Sequence, residues 1–315
     1  MTIAYDIEDT VTPGLANGRG RLPHMSVLRF SGPDAVGFLQ GQVSNDTVPL
    51  SRGEPVLAAY STPQGRVLAI LHLLPHSSGI LGLLPRDVAA SIQDRLRKFV
   101  LRAKVKIEDV SEQVGVAGMD ASALRAAGIG DAAGTTGYLE KDGVGIARVH
   151  RDAAAASERY WLVGDAASIG RLAPCGESGR IERDWRLGDI RDGLPQVYAA
   201  TSELFVAQML NLDLIGGISF SKGCYTGQEI VARTQHLGRI KRRMSRLRLP
   251  EGSWSIGEPL RLADGRAGRL TEIVQVGDGF EALAVLSLDA GAADADSDAA
   301  AAISAEELPL PYRNR

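Results

Sequence analysis

Hydrophobic positions in the first third of the chain alternate between the two-residue period of strands and the longer period of helices. Between residues 26 and 109 they predict the order β-α-β-β-β-α-β, with the second helix over about 86–99. A turn signal, TPQG at 62–65, separates two of the strand-like runs. This order is typical of an α+β layer, and we expect a ferredoxin-like arrangement there.

The middle of the chain shows a weaker version of the same pattern. Strands are expected at 113–118, 144–149 and 158–163, and helices near 121–127 and 180–190. Residues 120–143 are rich in Gly and Ala and are interpreted as a loop or insertion around the short helix. The pattern predicts a second α+β layer that is also ferredoxin-like.

Beyond Gly238 the pattern changes to short strands separated by Gly-rich turns. Strands are expected around Leu247 and Leu249, Leu260 and Leu262, 267–276 and 280–288. They predict a small antiparallel β-barrel. The Ala/Asp-rich residues 289–302 are expected to form a mobile loop, and residues 308–312 an edge strand that tolerates proline.

The length of 315 residues allows two or three domains. We place the boundaries at 1–110, 111–238 and 239–315. A formal net charge of −3 gives no general attraction to nucleic acid or to an anionic membrane, so neither is expected as a direct partner. The acidic N-terminus lacks the cationic start and apolar core of a signal peptide, which predicts a cytoplasmic protein.

Two cysteines, Cys175 and Cys224, are too few for a disulfide framework or for four-cysteine ligation of an iron–sulfur cluster by one chain. The chain has no Cys-x-x-Cys, and its five histidines show no zinc-binding spacing. No resident metal site is expected.

The octapeptide KGCYTGQE at 222–229 is the strongest candidate for chemistry. Thr226 and Glu229 have capping-box spacing, which predicts a helix that starts just after Thr226. The Cys224 thiol would then lie outside the positive end of that helix with Lys222 nearby, a setting that lowers a thiol pKa.

The size of the pKa shift that is needed limits this interpretation of Cys224. A free thiol has a pKa of about 8.5, so a mostly ionised thiol needs a drop of about two units, roughly 2.7 kcal/mol. A helix terminus supplies about 0.3–1 kcal/mol, so Lys222, another cation or a bound partner must supply the rest. The alternative is a small buried cysteine in a tight turn.

Four segments together resemble a known family: 39–46 (LQGQVSND), 62–67 (TPQGRV), 205–212 (FVAQMLNL) and 216–234 (GGISFSKGCYTGQEIVART). They closely resemble the YgfZ family of folate-binding proteins, which are relatives of the aminomethyltransferase (T-protein) of the glycine cleavage system. The resemblance implies three domains around a central opening that binds tetrahydrofolate. It also implies a role in iron–sulfur cluster assembly or repair, through client proteins or assembly factors, with effects on tRNA-modifying enzymes that carry clusters.

The resemblance directs attention to Cys224 as a functional residue. A transient thiolate link to a cluster, a partner thiol or a one-carbon adduct is expected there, with Lys222 favouring the thiolate. The residues expected to bind the cofactor or to hold its site are Tyr225, Gln228, Glu229, Arg233, Asp189 and Trp185. Trp161 and Phe205 are further candidates for stacking on a pterin ring, although each aromatic residue is also a natural core residue.

Two departures from the enzyme relatives bear on activity. The stretch 67–71 (VLAIL) has no carboxylate to act as a base. In 188–195 (GDIRDGLP), Arg191 stands nearest to the position of a folate-binding Glu, so Asp189 or Asp192 would have to contact the pterin. These departures argue against glycine cleavage. A folate-dependent one-carbon (aminomethyl) transferase remains the alternative function, and catalytic turnover stays an open question.

A dense basic stretch follows the motif helix. Its members are Arg239, Lys241, Arg242, Arg243, Arg246 and Arg248. A folate polyglutamate tail, a phosphate backbone or an acidic partner protein would suit it, and so would an exposed strand whose long side chains cover apolar surface. A scaffold that recruits partners through this stretch alone, without folate, is the third possibility.

Overall fold

The computed structural model describes residues 19–129, 136–149, 158–172, 178–236, 238–290 and 301–312, without the side chains of 19 and 178–180. The strands in these ranges are β1 (Arg19–Arg21), β2 (Met25–Ser31), β3 (Val56–Ser61), β4 (Val67–His76), β5 (Gly79–Pro85), β6 (Lys106–Asp109), β7 (Gly115–Asp120), β8 (Tyr138–Lys141), β9 (Val144–Arg148), β10 (Arg159–Gly164), β11 (Arg242–Leu249), β12 (Pro259–Leu262), β13 (Ala267–Val276), β14 (Gly279–Ser287), β15 (Ala302–Ile303) and β16 (Glu306–Leu308). The helices are α1 (Ala35–Gln42), α2 (Arg86–Arg97), α3 (Ala121–Ala126), α4 (Ala166–Leu172), α5 (Ser178–Asp192) and α6 (Gln228–His236), with 3-10 turns at Val48–Arg52 and Ala207–Leu210.

The first sheet has the strand order β3-β4-β5-β2-β6, and all its neighbours are antiparallel. Along the chain its elements run β2-α1-β3-β4-β5-α2-β6, which confirms the predicted order. The α2 helix buries Val88, Ile92 and Leu96 because a spacing of four residues puts them on one face. The helix ends at Arg97, two residues before the predicted end.

The second sheet has the order β1-β7-β10-β9-β8, again with antiparallel neighbours. Its edge strand β1 lies within the predicted first domain, 1–110, but it pairs with β7 of the predicted second domain, with Arg19 opposite Met119. The domain boundaries therefore stay a prediction.

The prediction of an irregular loop around the short helix at 120–143 is wrong for residues 138–141, which form β8. Asp142 and Gly143, with φ angles of 52° and 75°, turn the chain back into β9. An Asp-Gly pair between strands is a strong hairpin signal because both central residues of such a turn need positive φ. That signal was present in the sequence. The helix α4 was also not predicted.

The third sheet has the order β15-β12-β13-β14-β11-β16, with antiparallel neighbours except for the parallel pair β12–β15. It confirms the four predicted strands of the C-terminal region. The edge strand is Glu306–Leu308 rather than 308–312, because Pro309 and Pro311 have no N–H to donate. Most of the predicted mobile loop, residues 291–300, lies outside the described residues.

One hydrophobic cluster joins the three parts of the molecule. It contains Ile70 from the first sheet, Leu210 and Leu212 from the segment before the motif, and Met244 and Val285 from the third sheet. An ion pair adds to this junction: Arg191 of α5 lies 2.8 Å from Glu281 of β14. The motif segment is therefore held between the first and third sheets.

The chain is thus a mixed α and β protein whose sheets are antiparallel apart from the pair β12–β15. The ferredoxin-like layers, the closure of the third sheet into a barrel and the arrangement around a central opening stay predictions. Among the described residues, no helix has both the length and the apolar character needed to cross a bilayer.

Candidate functional site

The turn that carries the motif is closed by Gln228. The helix α6 starts at Gln228, two residues after Thr226, and the backbone N–H of Tyr225 donates to Gln228 Oε1 at 3.3 Å. Thr226 donates its own backbone N–H to the carbonyl oxygen of Gly41 at 3.4 Å. Glu229 is exposed. The helix start is close to the predicted one, but Gln228 closes the turn in place of the predicted capping box.

Two glycines allow this turn to pack against the TPQG turn at 62–65. Gly227 has a φ of 85°, and a Cβ added to it would lie 2.6 Å from the carbonyl oxygen of Thr62. Gly65 has a φ of 72°, and its Cβ would lie 2.8 Å from Ile230 Cβ. Only glycine combines this backbone conformation with such a close approach. Two motifs that are far apart in sequence therefore form one contact surface.

Lys222 is a half-buried cation whose ammonium group is fully engaged. Its Nζ donates to the carbonyl oxygens of Gln40, Val43 and Asn45 at 2.7, 2.8 and 2.8 Å, which uses all three N–H donors. Nζ also lies 5.0 Å from the centre of the Tyr225 ring. Burial lowers the pKa of Lys222 to about 8. Lys222 thus has no N–H left to donate to a thiolate.

Cys224 is exposed. This excludes the alternative of a small cysteine buried in a tight turn. Burial raises the pKa of the neighbouring Tyr225 phenol to about 12, so that ring serves as packing beneath the motif rather than as an ionised group. The thiol is therefore reachable by a partner molecule, while the residues beside it are held by the fold.

A cavity of about 480 Å³, named the central cavity below only to distinguish it, lies next to the loop that Lys222 holds. Its wall combines Asn45 and Asp46 of that loop with Trp161 of β10 and Asp192 of α5. This volume falls within the range of about 300–1,000 Å³ that is usual for small-molecule sites. Cys224 does not belong to the described residues that line the cavity. The motif reaches the cavity through the hydrogen bond between Lys222 and Asn45.

Two aromatic rings line this cavity, and a third packs behind them, with tilted contacts between neighbouring rings. The Trp161 ring lies 5.3 Å from the His72 ring and 4.7 Å from the Trp185 ring, measured between centroids. His72 and Trp161 line the cavity, whereas Trp185 is fully buried behind Trp161. A Cβ on Gly118 would lie 2.2 Å from the Trp185 ring, so a glycine is required beneath it. Trp161 Nε1 is buried without a hydrogen-bond partner among the described residues.

A buried arginine joins the two carboxylates at the end of α5. Arg159 Nη2 lies 2.6 Å from Asp192 Oδ2 and 2.8 Å from Asp189 Oδ1, and Arg159 Nη1 donates to the carbonyl oxygen of Trp185 at 3.0 Å. The guanidinium carbon also lies 4.6 Å from the Trp185 ring centre. Burial raises the pKa of Asp189 to about 6, although Arg159 opposes the shift.

The structure divides the residues expected at the site into two groups. Lys222, Cys224, Tyr225 and Gln228 lie together in the motif turn, and Glu229 and Arg233 are exposed on α6. Asp189 and Trp185 lie one layer behind the cavity wall. Of the residues named from sequence, Trp161 and Asp192 are the ones that line the cavity.

Sequence reasoning missed Arg159 and His72. Arg159 begins a strand, Arg159–Gly164, whose other residues are all uncharged and buried. A charged residue at the start of such a strand is a signal of a buried ion pair. His72 interrupts an otherwise apolar strand in the same way, and its Nε2 lies 3.2 Å from Gln196 Nε2.

Most of the basic stretch is engaged in ion pairs. Arg243 lies 2.7 Å from Asp213, Arg246 lies 2.6 Å from Glu281, and Arg248 lies 4.0 Å from Glu306. These contacts support the interpretation of a strand whose long side chains cover and bridge neighbouring elements. Among the described residues, no three His, Cys, Asp or Glu side chains are grouped so as to hold a metal ion.

Comparison with known proteins shows the fold. No protein-family profile matches the sequence. Among solved structures, the chain is similar to glycine cleavage system aminomethyltransferase T from Bartonella henselae, with a TM-score of 0.63 and 16% identity over 86% of this chain and 78% of that chain. The chain therefore has the fold of this aminomethyltransferase.

A second similarity is much weaker. Heterotetrameric sarcosine oxidase from Corynebacterium sp. U-96, in complex with pyrrole 2-carboxylate, matches 53% of this chain and 82% of its own chain at 10% identity. Its TM-score of 0.32 is too low to support a conclusion.

Proposed function

We propose that the protein binds tetrahydrofolate in the central cavity. The observation that carries this proposal is Trp161, which lines the cavity and whose buried indole N–H has no partner among the described residues. Asp192, a buried carboxylate that Arg159 binds, lies in the same wall. A carboxylate that accepts and an indole that donates are polar groups of opposite type. A ligand that accepts from the indole and lies beside the carboxylate needs both acceptors and donors on a flat apolar body.

A pterin ring has this chemistry. Its amino group and ring N–H are donors that a carboxylate accepts in a paired geometry, and its carbonyl oxygen is an acceptor for an N–H. The indole of Trp161 and the ring of His72 offer apolar surface in the same cavity. The residues present therefore fit the group.

The charged cluster that includes Asp192 of the wall supports the same assignment. Arg159 is one cation between two carboxylates, Asp189 and Asp192, so the cluster carries a net negative charge when both are ionised. This charge favours a ligand edge that presents N–H donors. Arg148 also lines the cavity, and because its Nη2 lies 3.8 Å from Glu158 Oε1, the carboxylates of a folate tail would share this guanidinium with Glu158.

We propose binding without efficient one-carbon transfer. The β4 stretch 67–71 is completely buried and apolar, so it places no carboxylate in the cavity to move a proton. Asp46 does line the cavity, but its Oδ1 accepts from Gln40 Nε2 at 3.1 Å and from Val48 N at 3.0 Å, which gives it a role in holding its loop. An aminomethyltransferase activity is the alternative, and it predicts turnover of methylene-tetrahydrofolate.

The role in iron–sulfur cluster assembly or repair is the finer part of the proposal. It is supported by the resemblance of the KGCYTGQE segment and by the exposure of Cys224. Because Cys224 lies outside the cavity wall, its thiolate would coordinate iron of a client cluster transiently, or attack a disulfide of a partner and release the other sulfur as a thiolate. The folate would bind in the central cavity, and the hydrogen bond between Lys222 and Asn45 would connect that cavity to the turn that carries Cys224. Cluster-containing tRNA-modifying enzymes are the clients that the resemblance implies, and the cytoplasm is the expected compartment.

Titration of the purified protein with tetrahydrofolate under anaerobic conditions tests the folate site. We expect saturable binding by calorimetry with quenching of tryptophan fluorescence. Asp192→Asn should weaken binding by about tenfold or more because it removes the charge of the acceptor. Asp184→Asn, on the same helix, is the matched control and should bind like the wild type. Absence of binding, or equal binding by Asp192→Asn, would reject the proposal.

A further inference from the structure

The connection between α2 and β6, residues 98–105 and called the α2–β6 tip below, exposes two large apolar side chains. Phe99 is 48% exposed and Leu101 is 91% exposed. The backbone N–H of Ala103 donates to the carbonyl oxygen of Val100 at 3.1 Å, so Leu101 is the first central residue of a β-turn. Polar residues, Gly and Pro usually occupy the central positions of turns. Leu101 is therefore an apolar side chain that the turn itself does not require.

Neighbouring residues hold the α2–β6 tip against the rest of the molecule. Val100, Ala103 and Val105 pack against the hydrophobic cluster that α2 and the first sheet share. The backbone N–H of Lys104 donates to Asp34 Oδ2 at 2.7 Å, which ties the end of the tip to the residue before α1. Because these inward contacts anchor the segment, the fold itself presents the two apolar side chains to solvent.

Positive charge is concentrated in the same part of the chain. Residues 95–106 contain six cations and no carboxylate, although the net charge of the whole chain is −3. Three of these cations are engaged within the protein: Arg95 with Glu203, Arg97 with the carbonyl oxygen of Ile107, and Lys106 with Glu108. The charge available to a partner must therefore come from the other three.

The three remaining cations are exposed, and their side chains have no hydrogen bond or ion pair with another described residue. They are Lys98, Arg102 and Lys104. Two carboxylates are close in the fold or the sequence: Asp34, which the N–H of Lys104 binds, and Asp94, one helical turn before Lys98. Arg97 binds a carbonyl oxygen rather than a carboxylate, so its charge adds to those of the free cations. The surface of the tip is thus positive with an apolar apex.

We propose that the α2–β6 tip binds the surface of an anionic lipid bilayer, with Phe99 and Leu101 in the interfacial region and the free cations at the headgroups. Apolar side chains beside Lys and Arg are the combination that binds at the boundary between headgroups and acyl chains. The net charge of −3 argues against a general attraction to such a surface, but it does not describe this local one.

The shape of the tip favours a lipid surface over an acidic protein. A stable protein interface buries about 800 Å² on each partner, which is far more than two side chains at the apex of a turn provide. A fluid bilayer accepts a small protruding apex. The tip shares no residue with the wall of the central cavity, so this proposal goes beyond the proposed folate function and does not depend on it.

Cosedimentation of the full-length protein with vesicles tests the proposal. Vesicles of phosphatidylcholine and phosphatidylglycerol in equal amounts should bind the protein at low ionic strength, and vesicles of phosphatidylcholine alone should bind it much less. Binding to the anionic vesicles should weaken as the salt concentration rises.

Leu101→Ser should weaken binding to the anionic vesicles by about fivefold or more, because it removes apolar surface from the interface. Lys98→Gln and Arg102→Gln should each weaken it by about fivefold, because each removes one charge near the headgroups. Leu288→Ser, which changes an apolar residue that is 44% exposed outside the tip, is the control for Leu101→Ser. Arg261→Gln, which changes an exposed arginine of β12, is the control for the cations. Both controls should bind like the wild type.

No binding to the anionic vesicles, or equal binding by the tip variants and the wild type, would overturn the proposal. Weaker binding by the cation variants alone would reject the insertion of the apolar apex. Titration with soluble polyglutamate is the arm for an acidic polypeptide: its binding without binding to vesicles would assign the tip to a protein partner and reject the lipid surface.

Discussion

The ammonium group of Lys222 donates a 2.7 Å hydrogen bond to the carbonyl oxygen of Gln40, which lies 182 positions earlier in the chain. The same group binds the carbonyl oxygens of Val43 and Asn45, and Asn45 lines the central cavity. A lysine beside a cysteine is easily interpreted as an activator of the thiol. Here its hydrogen bonds connect the cysteine turn to the cavity wall.

Replacement of Lys222 by Ala should lower the free energy of unfolding by about 1–3 kcal/mol, because three carbonyl oxygens lose their shared donor. Urea denaturation measures this effect. Lys141→Ala is the control, since Lys141 is exposed at the end of β8 and its replacement should change stability by less than about 0.5 kcal/mol. Equal stability of the two variants would contradict the structural role of Lys222.

Replacement of Gly227 by Ala should destabilise the protein by about 1–3 kcal/mol, because its φ of 85° is unfavourable for alanine and its Cβ would meet the carbonyl oxygen of Thr62. Gly223→Ala is a matched control within the same motif, because a Cβ there would meet nothing within 4 Å. Thermal denaturation of both variants checks the difference. A Gly223 variant as unstable as the Gly227 variant would show that the contact with Thr62 is unimportant.

The titration of Asp189 should give the protein a pH-dependent stability. Its pKa is about 6 in the folded chain and 3.8 in the reference state, so between these values the folded protein keeps a proton that the unfolded chain loses. Stability from this group is complete below about pH 4 and falls as the pH rises through 6.

The free energy of unfolding of the wild type, measured relative to Asp189→Asn, should therefore fall between pH 4 and 6. The slope should be at most about 1.4 kcal/mol per pH unit. Urea denaturation across this pH range gives the difference. A constant difference across the range would show that Asp189 is ionised throughout.

Alkylation with iodoacetamide of the native protein at neutral pH should label Cys224, because its thiol is exposed. Mass spectrometry of the peptide that contains residue 224 identifies the product. A Cys224 that reacts only after denaturation would contradict the exposed position.

Cys224→Ala should leave the fold and tetrahydrofolate binding unchanged, since Cys224 does not contribute to the wall of the central cavity. It should abolish the support of cluster-containing enzymes in cells that lack the wild-type protein. Full support by the variant would reject the proposed role of the thiol, while the folate site would stand on its own test.

Local patterns in the sequence predicted most of the strands and helices. The first seven elements from β2 to β6 follow alternation and four-residue spacing, and the strands β11 to β14 follow short alternating runs between glycines. Alternation and four-residue spacing involve residues that are close together in the chain, so a single sequence is enough to reveal them. The hairpin of β8 and β9 was missed although its Asp-Gly turn was visible, because the surrounding Gly and Ala residues obscured the alternation.

The cavity wall was harder to predict because its residues come from distant segments. Trp185 and Asp189 share a face of α5 with Asp192, and sequence spacing alone does not show which of them reaches the cavity. Which of these residues reaches the cavity depends on Gly118, because this glycine allows the Trp185 ring to lie against the second sheet behind Trp161. The motif was identified by its resemblance, but its position outside the cavity wall depends on the contact between Lys222 and the loop at 40–45.

The last turn of α5 carries groups that point in two directions. Asp192 lies in the wall of the central cavity, while the adjacent Arg191 binds Glu281 of the third sheet. A rigid helix transmits displacement along its whole length, so a shift of the C-terminal sheet would carry the Asp192 carboxylate with it. Under the proposed function, mutations in strands that do not line the central cavity should therefore change its affinity for folate.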